Sequence, residues 1–407
     1  MANNYKKIIL SGGWGYGNLG DDAILLSSYN LIKNRFPNSD IIILSYNIRE
    51  SSLVIPESEN IRYYDSLHVS MYGYKPNVLS FGEGLLPELW KPIKSRYNQK
   101  VKKRIKDSKL RNKVIKNKEE FKEQYRKQFQ EFSDICRESD MYIMCGGGYL
   151  TGWAEMITSK YFEVEIAKKN SLKTYIIGQT IGPFTSDSAR CLIKSILEIT
   201  DNSFFRDKES LSDAKSFGAK CLDNVIPDLV LSTERTAEKK NYIVFIPFLS
   251  DLTKNKEKIV QNIAAVSEKH KCSVCITVSQ LWPYGMQIGL SIYLELLARN
   301  IDARFVVPHD FHELSDILAS AQMTYSQNLH GLILSYCAHT PVASLNSRRK
   351  FISFMEAIGQ PDNLLAPNKL SPTDFLKCYE KRSEFDFSKL QLFRKEINDA
   401  LDLIVKE

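Results

Sequence analysis

Short apolar runs alternate with stretches of helical periodicity along most of the chain. In the first half the apolar runs are typical of buried β-strands and lie at 6–11, 41–46, 141–145, 174–178 and 203–206. Between them apolar residues recur every three or four positions, as in 21–36, which predicts amphipathic helices. Strands separated by helices are joined by crossover connections, so this half predicts a doubly wound parallel sheet.

The same alternation begins again after a polar segment at 231–240. Its strand-like runs lie at 242–248, 273–279, 303–307, 323–326 and 342–345. We therefore predict two Rossmann-like α/β domains facing each other across a cleft. The predicted bounds are 1–235, with an insertion at about 75–130, then 241–350, and then C-terminal helices at 351–407 that are candidates to cross back onto the first domain.

Length and composition agree with this organisation. A chain of 407 residues is long enough for two or three domains at about 150 residues each, and 43% of its residues are hydrophobic. No apolar run approaches the roughly 18 residues of a membrane span, and the first residues lack the longer apolar stretch of a signal peptide. We expect a cytoplasmic protein.

Positive charge is concentrated in one segment. Residues 91–118 hold 13 Lys or Arg and one acid, Asp107, a net charge of +12, whereas the whole chain carries +7. The rest of the chain is therefore acidic, which argues against a general nucleic-acid-binding protein. The segment is either a solvated insertion or lid, or a basic surface for anionic lipid or a pyrophosphate-linked substrate.

Two groups of metal-binding residue types have simpler interpretations. Cys272 and Cys275 lie in a strand-like run without a second cysteine pair, which favours buried core thiols over a zinc or redox site. In the segment from Pro308 to Glu313, Asp310 and Glu313 have the spacing of a helix capping box. A substrate contact from a histidine and a metal site remain alternatives there, and we expect no bound metal.

A glycine-rich motif follows the first predicted strand and opens the first helix. It runs Gly12-Gly-Trp-Gly-Tyr-Gly-Asn-Leu-Gly-Asp-Asp-Ala-Ile-Leu. Glycines permit close backbone approach, and a helix start presents unpaired N–H groups, so the motif can hold an anion or a sugar hydroxyl. Asp21 and Asp22 at the helix start either offset the helix dipole or contact acceptor hydroxyls directly.

Three further residues lie where predicted strands end, which is where α/β proteins form their sites. Arg206 can bind phosphate or carboxylate with its planar guanidinium, or can pair with Asp207 or Glu209. His330 can transfer a proton near neutral pH or can be structural. Lys350 can bind a donor anion or can be a solvated residue at a helix start.

Several motifs resemble those of the polysaccharide pyruvyl transferase family, in the same order. They are Gly17-Asn-Leu-Gly-Asp-Asp-Ala-Ile, Gly146-Gly-Gly-Tyr-Leu, Gly178-Gln-Thr-Ile-Gly-Pro-Phe, Phe205-Arg-Asp-Lys-Glu-Ser, and a last block of Leu329-His-Gly, Pro341-Val and Lys350. Each motif is weak alone, but together they cover roughly residues 6 to 359. The resemblance implies a fold similar to that of B-type glycosyltransferases.

The resemblance also implies an activity, namely transfer of pyruvate from phosphoenolpyruvate to a sugar as a ketal during cell-surface polysaccharide biosynthesis. Phosphoenolpyruvate is then a co-substrate, and no cofactor is expected. The implied catalytic residues are His330, Arg206 and Lys350. The implied donor-binding residues are Arg206, Asn328, His330, Gly331, Arg348, Arg349 and Lys350. The implied acceptor-binding residues are Gly17, Asn18, Gly20, Asp21, Asp22, Gly147, Gly148, Tyr149 and Gln179.

One position departs from the family. Members usually have an arginine two residues before the histidine, and this chain has Asn328 there. Three alternatives follow: phosphoenolpyruvate binds in a rearranged pocket, another donor is used, or activity is lost. Arg348 and Arg349 are candidates to replace the missing charge.

Two rival functions remain at this point. One is a nucleotide-sugar glycosyltransferase of the B type, and the other is a non-catalytic glycan-binding relative. The acceptor is expected to be a sugar or a lipid-linked oligosaccharide. The basic segment at 91–118 would suit a peripheral position at the inner face of the membrane.

Overall fold

The computed structural model describes residues 5–73, 118–151, 154–184, 186–248 and 252–406. The chain forms two compact units. Unit 1 comprises Met1–Tyr16, Ile24–Asp228 and Asp399–Glu407, and unit 2 comprises Gly17–Ala23 and Leu229–Asn398. The predicted basic segment lies, up to residue 117, outside the described residues. No helix among the described residues is both long enough and apolar enough to cross a membrane.

Unit 1 contains a six-stranded parallel sheet. Its strands are β1 (Lys7–Ser11), β2 (Asp40–Ser45), β3 (Ile61–Asp65), β4 (Met141–Leu150), β5 (Lys173–Ile181) and β6 (Asn202–Phe205). They lie in the order β3-β2-β1-β4-β5-β6. The four residues that follow Lys7 in β1 are buried, as a strand covered by helices on both faces requires.

Helices connect the strands of this sheet, and three of them begin at a capping residue. The helices are α1 (Leu19–Arg35), α2 (Ile48–Val54), α3 (Leu67–Tyr72), α4 (Lys118–Gln124), α5 (Arg126–Arg137), α6 (Ala154–Lys169), α7 (Asp187–Ile199) and α8 (Lys208–Ser216). Ser66, Ser186 and Asp207 are the N-caps of α3, α7 and α8, and each side chain accepts a hydrogen bond from a backbone N–H of the first turn.

Unit 2 contains a five-stranded parallel sheet. Its strands are β7 (Tyr242–Ile246), β8 (Ser273–Thr277), β9 (Ala303–Val306), β10 (Met323–Ser326) and β11 (Val342–Ser344), in the order β11-β10-β7-β8-β9. The later helices are α9 (Leu252–His270), α10 (Pro283–Ala298), α11 (Phe311–Ala319), α12 (Leu329–Cys337), α13 (Arg349–Ala357), α14 (Asp374–Glu380) and α15 (Lys389–Lys406).

The predicted fold class of two doubly wound parallel sheets is confirmed. The edge strand β3 was not predicted, because its alternating pattern of buried and exposed residues lacks a continuous apolar run. The units divide at Asp228 and Leu229, whereas the sequence placed the boundary in the polar segment at 231–240. Most of the predicted C-terminal segment belongs to unit 2, and its end, Asp399–Glu407, belongs to unit 1.

The two interpretations that set aside metal-like residues agree with the structure. Cys272 and Cys275 are buried in unit 2, and burial raises the pKa of both thiols. The backbone N–H of Glu313 donates to Asp310 Oδ1 at 2.8 Å, so Asp310 is the N-cap of α11, as predicted. Glu313 Oε2 in turn accepts from the backbone N–H of His309, the residue before the N-cap, at 2.8 Å, so this side chain also holds the helix start.

Candidate functional site

Two polar residues and one aromatic residue follow three adjacent strands of unit 2. Gln327 follows β10, Asn346 follows β11 by one residue, and Phe248 lies just beyond β7. Because the carboxyl ends of parallel strands meet at one edge of the sheet, these residues gather where α/β proteins bind ligands. Two helices, α12 and α13, also begin at this edge.

Asn328 is the N-cap of α12. Its Oδ1 accepts from the backbone N–H of Gly331 at 3.2 Å, and its own N–H donates to Ser326 Oγ at 2.9 Å. The side-chain oxygen is therefore used to hold the helix start, a role that an arginine side chain cannot take because it carries donors alone. This cap gives a physical reason for asparagine at the position where the family usually has arginine.

His330 lies in the first turn of α12 and packs against Gly20. A Cβ atom built on Gly20 would stand 2.1 Å from His330 Nδ1 and 2.3 Å from its Cγ, which is impossible without a shift. Gly331 is similarly close to the sheet, since a Cβ there would lie 2.5 Å from Ile246 Cδ1. Gly20 therefore permits the close approach of the imidazole, and Gly331 permits the close approach of α12 to the sheet.

The segment that brings Gly20 to His330 is held by the backbone after β8. The N–H of Leu281 donates to the carbonyl of Gly17 at 2.8 Å, and the N–H of Leu19 donates to the carbonyl of Ser279 at 2.9 Å. Gly17 has φ +71°, a conformation that favours glycine. This pairing explains why the second half of the glycine-rich motif belongs to unit 2, although the sequence placed it in the first domain.

The two aspartates of the motif lie in the first turn of α1, where their charge suits the helix dipole. Asp21 Oδ2 accepts from Asn18 Nδ2 at 2.6 Å, and Asp22 is buried. Asn18 Oδ1 accepts from the N–H of Gly20 at 3.3 Å. The structure thus brings Gly17, Asn18, Gly20, Asp21 and Asp22 together on one short segment beside His330.

Three consecutive cationic residues open helix α13. Arg348 is its N-cap residue, and its backbone N–H donates to Asn346 Oδ1 at 3.1 Å. The Arg348 guanidinium lies over the ring of Phe248, 5.3 Å from its centroid. Arg349 and Lys350 are the first residues of the helix. The helix start adds backbone N–H groups and the positive end of the helix dipole to these charges.

In unit 1, Arg206 follows β6 and is almost fully buried. Its Nη1 forms an ion pair with Asp228, and its Nε donates to Thr180 Oγ1 at 2.9 Å. The sequence had suggested Asp207 or Glu209 as ion-pair partners. Asp207 instead caps α8, where its Oδ1 accepts from the N–H of Ser210 at 2.8 Å. Arg206 is therefore oriented by neighbours on two sides, which leaves its guanidinium in one fixed geometry.

The predicted acceptor residues of unit 1 lie beside Arg206. A Cβ built on Gly148 would stand 3.6 Å from Arg206 Nη2. Gln179 is buried, and its Nε2 donates to the carbonyls of Cys145 and Gly146 at 2.8 and 2.9 Å. Its Oε1 has no hydrogen-bond partner among the described residues. Gly147 has φ +115°, and the hydroxyl of Tyr149 donates to the Cys145 carbonyl at 2.6 Å.

Sequence reasoning missed a buried charged pair in unit 1. Lys160 and Glu163 on α6 are fully buried, with Lys160 Nζ 2.9 Å from Glu163 Oε2. Glu163 Oε2 also accepts from Ser11 Oγ at 2.6 Å and from the Tyr142 hydroxyl at 2.7 Å. Burial and the Glu163 carboxylate raise the pKa of Tyr142. The signal was present, since the two charges stand three residues apart in the run Lys160-Tyr-Phe-Glu-Val, which is otherwise apolar.

This pair lies among aromatic rings. The Lys160 ammonium is 5.8 Å from the ring centroid of Tyr46 and 5.7 Å from that of Tyr149. The ring of His68 lies 5.2 Å from that of Tyr46. The network thus connects β1, β4 and α6 to Tyr149, one of the predicted acceptor residues.

Two parallel α/β sheets, one in each unit, define a protein of the B-type glycosyltransferase architecture. Within that class the chain belongs to the polysaccharide pyruvyl transferase family, which matches residues 18–349. The predicted family is thereby confirmed.

Solved structures with a similar fold have low sequence identity. The UDP-GlcNAc 2-epimerase from Methanocaldococcus jannaschii is 12% identical with a TM-score of 0.55, and the match covers 99% of this chain and 100% of that one. The UDP-N-acetylglucosamine 2-epimerase from Rickettsia bellii is 10% identical with a TM-score of 0.54, covering 98% and 96%. The enzyme from Neisseria meningitidis, bound to UDP-GlcNAc, is 12% identical with a TM-score of 0.51, covering 97% and 94%. These likenesses establish the fold alone.

Proposed function

We propose that the protein transfers pyruvate from phosphoenolpyruvate to a sugar acceptor as a ketal in cell-surface polysaccharide biosynthesis. The observation that best supports the proposal is the close contact of His330, in the first turn of α12, with Gly20. A proton-transfer group is fixed there at the same sheet edge as the cationic start of α13.

The donor side of the reaction needs positive charge. Phosphoenolpyruvate carries a phosphate and a carboxylate, and anions bind well at helix starts and beside guanidinium groups. Arg348, Arg349 and Lys350 supply this environment at the start of α13. On the basis of the family motif we also assign a donor-binding role to Arg206, whose guanidinium is oriented by Asp228.

The proposed chemistry balances without a cofactor. His330 gives a proton to the methylene carbon of phosphoenolpyruvate, or takes one from the attacking hydroxyl. The methylene becomes a methyl group, and the neighbouring carbon becomes cation-like and forms a bond to the first sugar oxygen. The bond from that carbon to the phosphate oxygen then breaks, and a second sugar oxygen adds. Of the two hydroxyl protons released, one offsets the proton used at the methylene and the other leaves with phosphate.

The acceptor side is assigned to two sets of residues. In unit 2 these are Gly17, Asn18, Gly20, Asp21 and Asp22. The carboxylates of the two aspartates can accept hydrogen bonds from sugar hydroxyls. In unit 1 they are Gly147, Gly148, Tyr149 and Gln179. Support comes from Gln179 Oε1, a buried acceptor that has no partner in the described part of the chain and suits a hydroxyl donor. A lipid-linked oligosaccharide, met at the cytoplasmic face of a membrane, is the acceptor that we propose.

A second candidate is transfer from a nucleotide sugar. The observation that favours it is the shared fold with the Neisseria meningitidis epimerase, which is bound to UDP-GlcNAc. A third is glycan binding without turnover. The three differ in which donor stabilises the protein.

A thermal-shift titration separates these candidates. Phosphoenolpyruvate and a panel of nucleotide sugars are titrated against the wild type, Arg206→Ala, and the matched control Arg126→Ala, which removes an exposed arginine paired with Glu123. Saturable stabilisation by phosphoenolpyruvate alone, lost in Arg206→Ala and kept in Arg126→Ala, supports pyruvyl transfer. Stabilisation by a nucleotide sugar alone supports glycosyl transfer. Stabilisation by a glycan, with no stabilisation by any donor, supports glycan binding without turnover.

Turnover then tests the histidine. His330→Gln is expected to lose at least a hundredfold in kcat while the shift caused by phosphoenolpyruvate remains. Near-wild-type turnover with an unchanged pH profile would remove His330 from the mechanism.

A further inference from the structure

Gln327 is a buried residue to which the sequence motifs assign no role. It follows β10 directly, is 2% exposed, and its backbone N–H donates to the carbonyl of Ile246 at 2.9 Å. Its side-chain Oε1 accepts from the backbone N–H of Phe248 at 2.9 Å. Because a backbone N–H can only donate, this bond fixes which side-chain atom is oxygen and which is Nε2.

The Nε2 group of Gln327 is the unusual feature. The atom is buried and has no hydrogen-bond partner among the residues that the structure describes. A buried amide donor that is left unsatisfied is destabilising, so natural proteins rarely keep one without a purpose. The side chain is anchored through its oxygen, and the N–H group is therefore held in place for something that can accept a hydrogen bond.

The neighbours of Gln327 indicate the charge of that acceptor. The ring of Phe248, whose N–H anchors the amide, carries the Arg348 guanidinium 5.3 Å from its centroid. Asn346 connects Gln327 to Arg348. Its Nδ2 donates to the Gln327 backbone carbonyl at 3.3 Å, and its Oδ1 accepts from the Arg348 backbone N–H at 3.1 Å. An amide donor, a guanidinium and the start of α13 thus meet at one edge of the sheet, and all three favour an anion.

We propose that Gln327 and Arg348, joined by Asn346, form a subsite for an oxyanion, a phosphate or carboxylate group. Gln327 Nε2 donates to one oxygen, and the guanidinium binds another. The subsite takes over the anion contact that the family motif gives to residue 328, whose side chain here caps α12. Assigning the anion to phosphoenolpyruvate rests on the proposed function, whereas the anion site itself does not.

The substitution Gln327→Glu tests this with little change of shape. The glutamate keeps an oxygen that accepts from the Phe248 N–H and replaces the Nε2 donor with a second carboxylate oxygen, which repels an anion. The control is Gln261→Glu, which makes the same charge change on an exposed position of α9, where Gln261 bonds to Glu257. Binding of inorganic phosphate and of phosphoenolpyruvate is measured by calorimetry for the full chain, with melting temperature as a check on folding.

We expect Gln327→Glu to raise the Kd for both anions at least tenfold and Gln261→Glu to leave it unchanged. As the pH is lowered, the difference between Gln327→Glu and the wild type should narrow, because a neutral carboxyl group can donate a hydrogen bond again. A merely structural role of Gln327 would instead appear as a lowered melting temperature of Gln327→Glu in the absence of any anion. Gln327→Leu, which lacks both donor and acceptor, should bind the anions weakly at every pH.

Two results overturn the subsite: a wild type that binds neither anion, or a Gln327→Glu variant that binds both as the wild type does. Pyruvyl transfer that persists in the second case leaves the proposed function standing without the subsite. Conversely, phosphate binding that depends on residue 327, in a protein that does not consume phosphoenolpyruvate, supports the subsite and removes the proposed donor.

Discussion

The imidazole of His330 lies against the backbone of Gly20, so close that a methyl group on Gly20 would stand 2.1 Å from Nδ1. Glycine at this position therefore has a steric purpose. Gly20 belongs to the family's N-terminal motif and His330 to its C-terminal block, 310 residues later in the chain. The contact within unit 2 links two motifs that the sequence presents as separate.

Replacing Gly20 with alanine should displace the His330 ring and lower turnover by about a hundredfold, a loss typical of misplaced proton-transfer groups. The measurement is kcat together with the melting temperature. Gly218→Ala is the control, since Gly218 has φ +76° and nothing lies within 4 Å of an added Cβ. That variant should lose about 1 kcal/mol of stability through backbone strain and keep its turnover. Equal kcat in both variants would show that the position of His330 is not limiting.

The capping role of Asn328, at the position where the family usually has arginine, leads to a prediction about stability. Asn328→Ala should cost about 1 kcal/mol of unfolding free energy, because the cap on the Gly331 N–H is lost, and Asn328→Asp should retain most of it. Asn328→Arg restores the usual family residue and should nevertheless be destabilised like the alanine variant. Urea denaturation measures the stability, and calorimetry measures phosphoenolpyruvate binding. If Asn328→Arg were as stable as the wild type and bound the donor more tightly, the capping role would be secondary.

The contacts of Asn328 and Gly20 show which features could be predicted from the sequence and which could not. The spacing of apolar residues predicted the fold class, because it indicates which positions of each strand and helix are buried. The motifs also predicted which loops carry polar groups. They did not reveal that Gly17–Ala23 belongs to unit 2, since that depends on backbone bonds to Ser279 and Leu281, which are far away in the chain. Nor could they show that the oxygen of Asn328 caps a helix while Gln327 presents an unsatisfied donor.

Unit 1 gives a prediction about buried charge. Lys160→Met leaves the Glu163 carboxylate buried with its two hydroxyl donors but without a cation, which should cost about 3–5 kcal/mol. Glu163→Leu leaves the Lys160 ammonium buried and should cost a similar amount. The double variant should lose much less than the sum, since neither charge remains. A double-mutant cycle by urea denaturation measures the coupling, and simple additivity would show that the two charges act independently.

The same region predicts how stability depends on pH. His68 lies on α3, and its pKa is lowered to about 4, chiefly by burial and then by the charge of Lys160, against opposing effects of Glu155 and Glu163. Above the unfolded-state pKa of about 6.5 the histidine is neutral in both states and has no effect. As the pH falls below 6.5, the unfolded chain takes up a proton that the folded chain does not, so stability decreases until the pH reaches about 4.

The loss from this one group should approach about 3 kcal/mol at the acid end of that window. His68→Leu should flatten the stability curve between pH 6.5 and 4, because no proton is then taken up at this position on unfolding. His312→Leu, which removes a histidine at an exposed position of α11, is the matched control. Urea denaturation midpoints of the three proteins, measured between pH 6.5 and 4, test this prediction. A His68→Leu curve as steep as that of the wild type would mean that the imidazole charges in the folded state, and that the neighbouring Lys160 does not oppose it.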